Sequence, residues 1–267
     1  TPPYMSWSTA AHKIQDAINA SNRGDTVLIG VGNYYDSIKV DKRLTIIGEN
    51  VDETIIRGDS VFGWQTFLVY DTCRIEGVTV ITRYDSLRTE LSYGIAAFMP
   101  IMIDNCIVKN AHKGIRILNY GFEISDVVLT NIIVGVSMIF HTPQEVGKLS
   151  NANISVSEVD GVWTWTPEAT TWVDDGSFHI DRLNAINMDP WGADGTGVFN
   201  NSFLLAGSIK NSSVSNFWSR CIVVSARPNY QYRIENCVMN GDGVGVNMLG
   251  RNLVMHNTIL MNNETAV

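Results

Sequence analysis

Trp163, Trp165, Trp172 and Trp191, four of the seven tryptophans of the chain, fall in one stretch from about His141 to Phe203. Asp160, Glu168, Asp174, Asp175, Asp181, Asp189 and Asp194 share it, with His141 and His179. Aromatic faces beside acids suit chemistry on a sugar chain. An exposed ring offers a π surface to the axial C–H bonds of a sugar, and a large exposed apolar patch marks an interaction site. Two neighbouring carboxylates can serve as acid and base in glycosidic hydrolysis, and Asp174 with Asp175 is the best pair here. The same acids could hold calcium, which takes six to eight oxygen ligands. Calcium would neutralise a uronic-acid carboxylate and ease proton abstraction beside it. A plainer reading stands next to each. The loops could bury the rings as a satellite core, and the acids could be ordinary solvated loop residues.

The elements that must position these groups show in an internal repeat. An apolar-x-Asn motif recurs from Ile103, Ile124, Leu149, Ile180, Ile209, Ile234 and Val254, at spacings of 21, 25, 31, 29, 25 and 20 residues. A constant motif with a variable period means fixed strands and growing loops, which is the signature of a β-solenoid. A second strand follows in each period, as in GIRIL at Gly114, GVSMIF at Gly135, GVWTW at Gly161, CIVVSA at Cys221 and GVNML at Gly245. Alternation turns Ile115, Val136, Val162, Ile222 and Val246 inward. It turns Trp163 and Trp165 outward, with Arg116, Ser137, Val223 and Asn247 in the column of Trp163. Ile139, Ser225 and Leu249 make a further outward column. His141, Arg227 and Arg251 lie two residues beyond it, and an Arg on that rim could bind a carboxylate bidentately. About 23 residues per coil predict roughly eleven coils. The turn Asn residues are expected to stack and to adopt left-handed turns.

Composition sets the exclusions. The 267 residues are 45% hydrophobic and only 17% charged. That argues against disorder, which needs high charge and little apolar content. It also argues against a helical bundle with its charged outer faces. A net charge of -8 and a pI near 5.1 exclude a basic nucleic-acid surface. There are 24 Asn residues, about one in eleven, which fits a turn-rich β protein. No apolar run reaches the roughly 18 to 20 residues of a membrane span. Cys73, Cys106, Cys221 and Cys237 lack metal-site spacing and read as buried free thiols.

The N-terminal segment differs from the repeats. Ser8 or Thr9 could cap a helix running to about Ser21, with Ile14 and Ile18 on one face. The run KIQDAINASNRGDTVLIGVGNYYDSIKVDKRLTIIGE, with its Gly32-Asn33-Tyr34 turn, resembles the opening of right-handed β-helix proteins of the pectin-lyase-like superfamily. The resemblance implies an all-β fold, a right-handed parallel β-helix whose first helix caps the solenoid. The division expected is a cap over residues 1–24 and coils over 25–267, in a chain that starts at Thr1-Pro2-Pro3-Tyr4 and is cut from something longer. The resemblance also implies ligands along an outward sheet face walled by loops, so a polysaccharide partner, an extracellular or cell-surface location and a monomer are expected. Arg227 and Arg233 in ARPNYQYR resemble the Arg-Pro element of pectate lyases, where an Arg is the base. Gly-His-Gly with a downstream Arg-x-Lys, the polygalacturonase pattern, is absent, and so is the Gly-x-x-Asp-Phe of pectin methylesterases.

Three readings follow. The first is an extracellular enzyme acting on a polysaccharide by elimination or hydrolysis. Its catalytic candidates are Asp174, Asp175, His141 and Arg227. Its substrate-binding candidates are Trp163, Trp165, Trp172, Trp191, Arg116 and His179. Calcium is the one cofactor that suits it. The second is a non-catalytic carbohydrate-binding or scaffold module. The third is a copper-handling β-helix, from Met239, Met248, Met255, Met261 and His256 near the end of the chain.

Overall fold

The computed structural model describes residues 6–58, 65–82, 92–118, 121–139, 146–156, 162–165, 177–188, 196–200, 206–217, 220–225, 231–241, 243–249 and 252–263. Every strand pairing is parallel, and each strand pairs with one about a coil away in sequence. The chain is a parallel β-helix, the fold implied by its opening. Three ladders of strands close round one apolar core. The first ladder stacks ten strands: Thr26–Ile29, Leu44–Gly48, Cys73–Glu76, residues 101–104, 122–125, 147–150 and 177–181, then Ala206–Lys210, Tyr232–Glu235 and Leu253–His256. Nine steps of about 4.8 Å make a rod of about 43 Å.

Register explains the core. Val27, Ile46, Ile75, Ile103, Ile124, Leu149, Ile180, Ile209, Ile234 and Met255 form one inward column of the first ladder. The expected repeat is therefore in register from Ile103 to Ile234. Its last member is corrected by one residue, from Val254 to Met255. The spacing to the turn decides this: Met255-His256-Asn257 matches Ile234-Glu235-Asn236, and both Asn have positive φ. Val254 faces out. In the next inward column large and small residues alternate as Phe122, Gly147, Phe178, Gly207 and Tyr232. Each ring fills the space its glycine neighbours leave.

The first turn of the coil is a single left-handed residue. Asn105, Asp126, Asn151, Arg182, Asn211, Asn236 and Asn257 hold it, with φ between 46° and 56°. Asn tolerates that region better than most residues. Its amide also bridges coils: Asn236 Nδ2 donates to Asn211 Oδ1 at 3.1 Å, and Asn257 Nδ2 to Asn236 Oδ1 at 2.9 Å. Arg182 interrupts the column, and Asn211 reaches Asp181 Oδ1 instead at 2.7 Å. The expected Asn stacking is thus present. So is the expected burial of all four free cysteines, with burial pushing the Cys73 and Cys106 thiols up to about 12.

The capping helix is shorter than its sequence suggests. Trp7–Thr9 form a separate 3-10 turn, and the α-helix spans Ile14–Ala20. Ser8 and Thr9 do not cap it, because Ser6 binds both hydroxyls within that turn. Asp36 Oδ2 instead accepts from Gln15 N at 3.0 Å and satisfies one of the helix's unpaired donors. Ile14 and Ile18 are buried as expected. The Gln15 amide donates to Lys39 O at 3.1 Å and accepts from Lys39 N at 2.7 Å. It stands in for a neighbouring strand and blunts the first edge of the third ladder.

Candidate functional site

The third ladder runs Ile38–Val40, Gln65–Val69, Tyr93–Ala97, residues 113–118 and 134–139, Val162–Trp165, Thr196–Asn200, Arg220–Ser225 and Val244–Leu249. Its inward column reads Ile38, Phe67, Ile95, Ile115, Val136, Val162, Val198, Ile222 and Val246. The predicted column is therefore in register, with Val198 inserted between Val162 and Ile222. Ile115, Val136, Ile222 and Val246 are buried.

The same register aligns the positions between. Arg116, Ser137, Trp163, Phe199, Val223 and Asn247 share one register column. Leu118, Ile139 and Trp165 share another. Tyr70 and Phe98 extend the second column toward the N-terminus, each one residue past the Val69–Ala97 pair. Their rings stack at 5.0 Å with 7° between planes, and Lys39 Nζ lies 5.5 Å from the Tyr70 centroid. Phe199, Tyr70 and Phe98 are additions to the expected set. The repeat motif missed the N-terminal pair because Gly77, with φ of 70°, takes the left-handed position that Asn105 holds one coil later. A search keyed on Asn starts too late.

Aromatic residues concentrate on this ladder. Among the described residues, the paired outward positions of the first ladder hold no Phe, Trp or Tyr. Those of the second ladder, which stacks Gly32–Tyr35, Thr54–Arg57, Thr79–Ile81, residues 107–109, 128–130, 153–155 and 184–186, then Ser213–Ser215, Val238–Asn240 and Ile259–Met261, hold Tyr35 alone. In the third ladder Trp163, Trp165 and Phe199 stand in the register columns of Ser137, Ile139 and Val223, and Tyr70 and Phe98 stand one residue past a paired position.

Part of this face is shut from water. Ser137 precedes Trp163 in its register column, Val223 follows Phe199, and they are 0% and 1% exposed. Next to them the Arg116 guanidinium lies over the Tyr93 ring, 4.9 Å from its centroid, and its Nη1 donates to the Tyr93 hydroxyl. Lys113 Nζ lies 5.6 Å from the same ring. Arg116 Nε and Ser137 Oγ are buried without a hydrogen-bond partner. The strip thus combines a cation and unfilled polar valences on a rigid sheet.

Not every predicted residue converges here. Arg116, Trp163 and Trp165 are positions of the third ladder. His179 is not. It belongs to the first strand of its coil, in register with Lys148 and Ser208 on the outer side of the first ladder. Its Nδ1 lies 3.0 Å from Ser208 Oγ. Burial lowers its pKa, helped by Lys148 and Lys210. Asp174, Asp175, His141, Arg227, Trp172 and Trp191 lie outside the described residues. Among the described residues no three His, Cys, Asp or Glu converge as metal ligands. The methionine cluster does not converge either. Met239 is fully buried, whereas Met261 and His256 face solvent. No described helix is long and apolar enough to cross a membrane.

Neither a sequence-family profile nor a curated relative matches the chain. Solved structures are similar in fold. The pectin methylesterase from Yersinia enterocolitica is 13% identical over 96% of this chain and 91% of that one, with a TM-score of 0.46. The pectin methylesterase PemA from Erwinia chrysanthemi is 11% identical over 98% and 88%, with a TM-score of 0.44. The A-module of the Azotobacter vinelandii mannuronan C-5 epimerase AlgE4 is 10% identical over 95% and 91%, with a TM-score of 0.43. The parallel β-helix is established by the strand registers above, and no residue role is carried over from these proteins.

Proposed function

We propose that the chain is an extracellular protein that acts on a polysaccharide lying along the outer face of the third ladder. The observation that supports this reading is the set of aromatic residues at register positions of that ladder, Trp163, Trp165 and Phe199, with the stacked Tyr70 and Phe98 beside them, where the paired outward positions of the first ladder hold none among the described residues. Outward rings on a rigid sheet provide a stacking surface for sugars without ordering a loop first. In this reading Trp163 and Trp165, with Trp172 and Trp191, hold the chain, and Arg116 meets an acidic group. Cleavage, by elimination or hydrolysis, falls to Asp174, Asp175, His141 and Arg227, with calcium as the cofactor that would suit the acids.

The test is affinity electrophoresis on acidic and neutral polysaccharides, with turnover followed by ultraviolet absorbance of unsaturated products and by reducing ends. Trp163→Ala and Trp165→Ala should each weaken retention at least tenfold and lower the melting temperature by only a few degrees. Retention unchanged in both variants would remove the ladder from the binding site. Asp174→Asn should abolish turnover and spare retention.

A non-catalytic binding module is the second reading. It is favoured by the absence of the polygalacturonase and pectin methylesterase patterns from the sequence. Retention without turnover on every polysaccharide tried would select this reading.

A further inference from the structure

A groove of about 650 Å³ lies on the outer side of the first ladder, where five successive coils enter it. That volume is in the range of small-molecule sites. The groove does not involve the third ladder's aromatic face, and nothing in the polysaccharide reading uses it.

The two ends of the groove differ in chemistry. Arg43, Thr45, Thr72 and Arg74 line the end nearest the N-terminus. Pro100, Met102, Gly121 and Val146 line the part toward later coils. The order is fixed by register, since Thr45 pairs with Arg74, Arg74 with Met102, Met102 with Glu123 and Glu123 with Lys148. Phe122 supplies apolar floor beside Gly121, which has no side chain to cover it. Met102 and Val146 are 42% and 43% exposed, so both offer apolar surface to the groove. Glu123 and Lys148 are register neighbours on the far bank and offset one another in charge.

The charges at the polar end leave one cation over. Arg74 is engaged by Glu76 at 2.9 Å and Asp104 at 3.4 Å. Asp71, beside Thr72, is engaged by Arg23. Arg43 has no ion-pair partner among the described residues, in a chain whose net charge is -8. One unpaired cation with two hydroxyls, followed by an apolar trough, is complementary to a ligand with one anionic head and an apolar tail.

We propose that this groove binds a free long-chain carboxylate, with its head on Arg43, Thr45 and Thr72 and its tail along Pro100, Met102, Gly121 and Val146. An arginine fork suits a carboxylate head. The tail would remove the exposed Met102 and Val146 surfaces from water, which favours binding.

The test is methyl NMR of the full chain labelled at its nine methionines, with the Met102 signal assigned by its loss in Met102→Leu. The chain is titrated with dodecanoate below its micelle concentration, with dodecyltrimethylammonium, and with an acidic oligosaccharide. Dodecanoate should shift the Met102 methyl saturably, and Arg43→Glu should raise its Kd at least tenfold. Dodecyltrimethylammonium should bind at least tenfold more weakly. Met102→Asp should abolish dodecanoate binding. If that variant fails to fold, the exposed Arg43→Glu decides alone. No saturable shift, equal binding of the cationic amphiphile, or an unchanged Kd in Arg43→Glu would each overturn the proposal. So would equal binding of the oligosaccharide. None of these outcomes bears on retention by the third ladder, which is read separately by Trp163→Ala.

Discussion

Asn236 sits one coil above Asn211 and donates its side-chain amide to the Asn211 side-chain oxygen at 3.1 Å, while both backbones hold a left-handed φ, of 56° and 51°. Each Asn therefore does two jobs, and substitution separates them. Asn236→Ala loses both ladder bonds, at about 0.5–1.5 kcal/mol per bond, and leaves a Cβ in the left-handed region without the short polar side chain that lets Asn occupy it. Asn236→Gly loses the same bonds but removes the Cβ, and with it the steric cost of that region. Thermal melts should rank wild type above Asn236→Gly and Asn236→Gly above Asn236→Ala. Equal melting temperatures for the two variants would mean that backbone conformation contributes nothing.

Gly147 is enclosed by two rings. A Cβ there would lie 2.5 Å from Phe122 Cζ and 3.1 Å from Phe178 Cδ2, and those rings are tilted at 50° with centroids 6.0 Å apart. Gly147→Ala must displace Phe122 within a packed column, at about 1–3 kcal/mol. The midpoint of denaturant unfolding should fall. Adding Phe122→Leu, which shortens the ring, should recover part of the loss. A single variant as stable as wild type would show that the column is loosely packed.

These two positions mark how far the sequence carries. The Asn repeat was legible because a left-handed turn admits few residue types, so the geometry shows in the residue itself. The inward columns were legible because alternation has a period of two. The misplacement of Val254 for Met255 shows the weakness of that logic: a register error of one residue turns a strand over, and two adjacent apolar residues conceal it. The outward aromatic face was only half legible. Trp163 and Trp165 follow from alternation, whereas Tyr70 and Phe98 required knowing that Gly77 replaces Asn at the turn. His179 and Trp163 stand apart because nearness in sequence is not nearness in a solenoid. His179 lies on the first ladder, and Trp163 on the third.

The His179 imidazole is held below its ordinary value by burial and by Lys148 and Lys210. The unfolded chain takes up this proton at about pH 6.5, and the folded chain only at lower pH. Between those values the unfolded state binds more protons, so stability falls as pH drops below about 6.5. His179→Gln does not titrate. The loss of melting temperature from neutral to mildly acidic pH should be smaller in that variant than in wild type. An NMR titration should place the His179 midpoint below the ordinary value and move it up in Lys148→Met. A wild-type midpoint at or above the ordinary value would refute the assignment.

Arg116 separates binding from stability more sharply than any tryptophan. Its guanidinium gains from lying over Tyr93, by about 0.5–2 kcal/mol. Its Nε is buried without a partner, which costs about 1–3 kcal/mol. The Nη1 bond to the Tyr93 hydroxyl adds about 1.5–3 kcal/mol on the favourable side. Arg116→Met keeps the aliphatic stem and removes all three, so the melting temperature should fall by a few degrees. Affinity for an acidic polysaccharide should nevertheless fall at least tenfold if the freed polar valences meet a carboxylate, and affinity for a neutral one should stay level. Arg116→Lys keeps the charge but not the planar fork, and should lie between the two. The readout is the ratio of acidic to neutral retention, which a purely structural role would leave unchanged. A large fall in melting temperature with that ratio intact would make Arg116 a strut for Tyr93, and the acidic group would then have to be met elsewhere on the ladder.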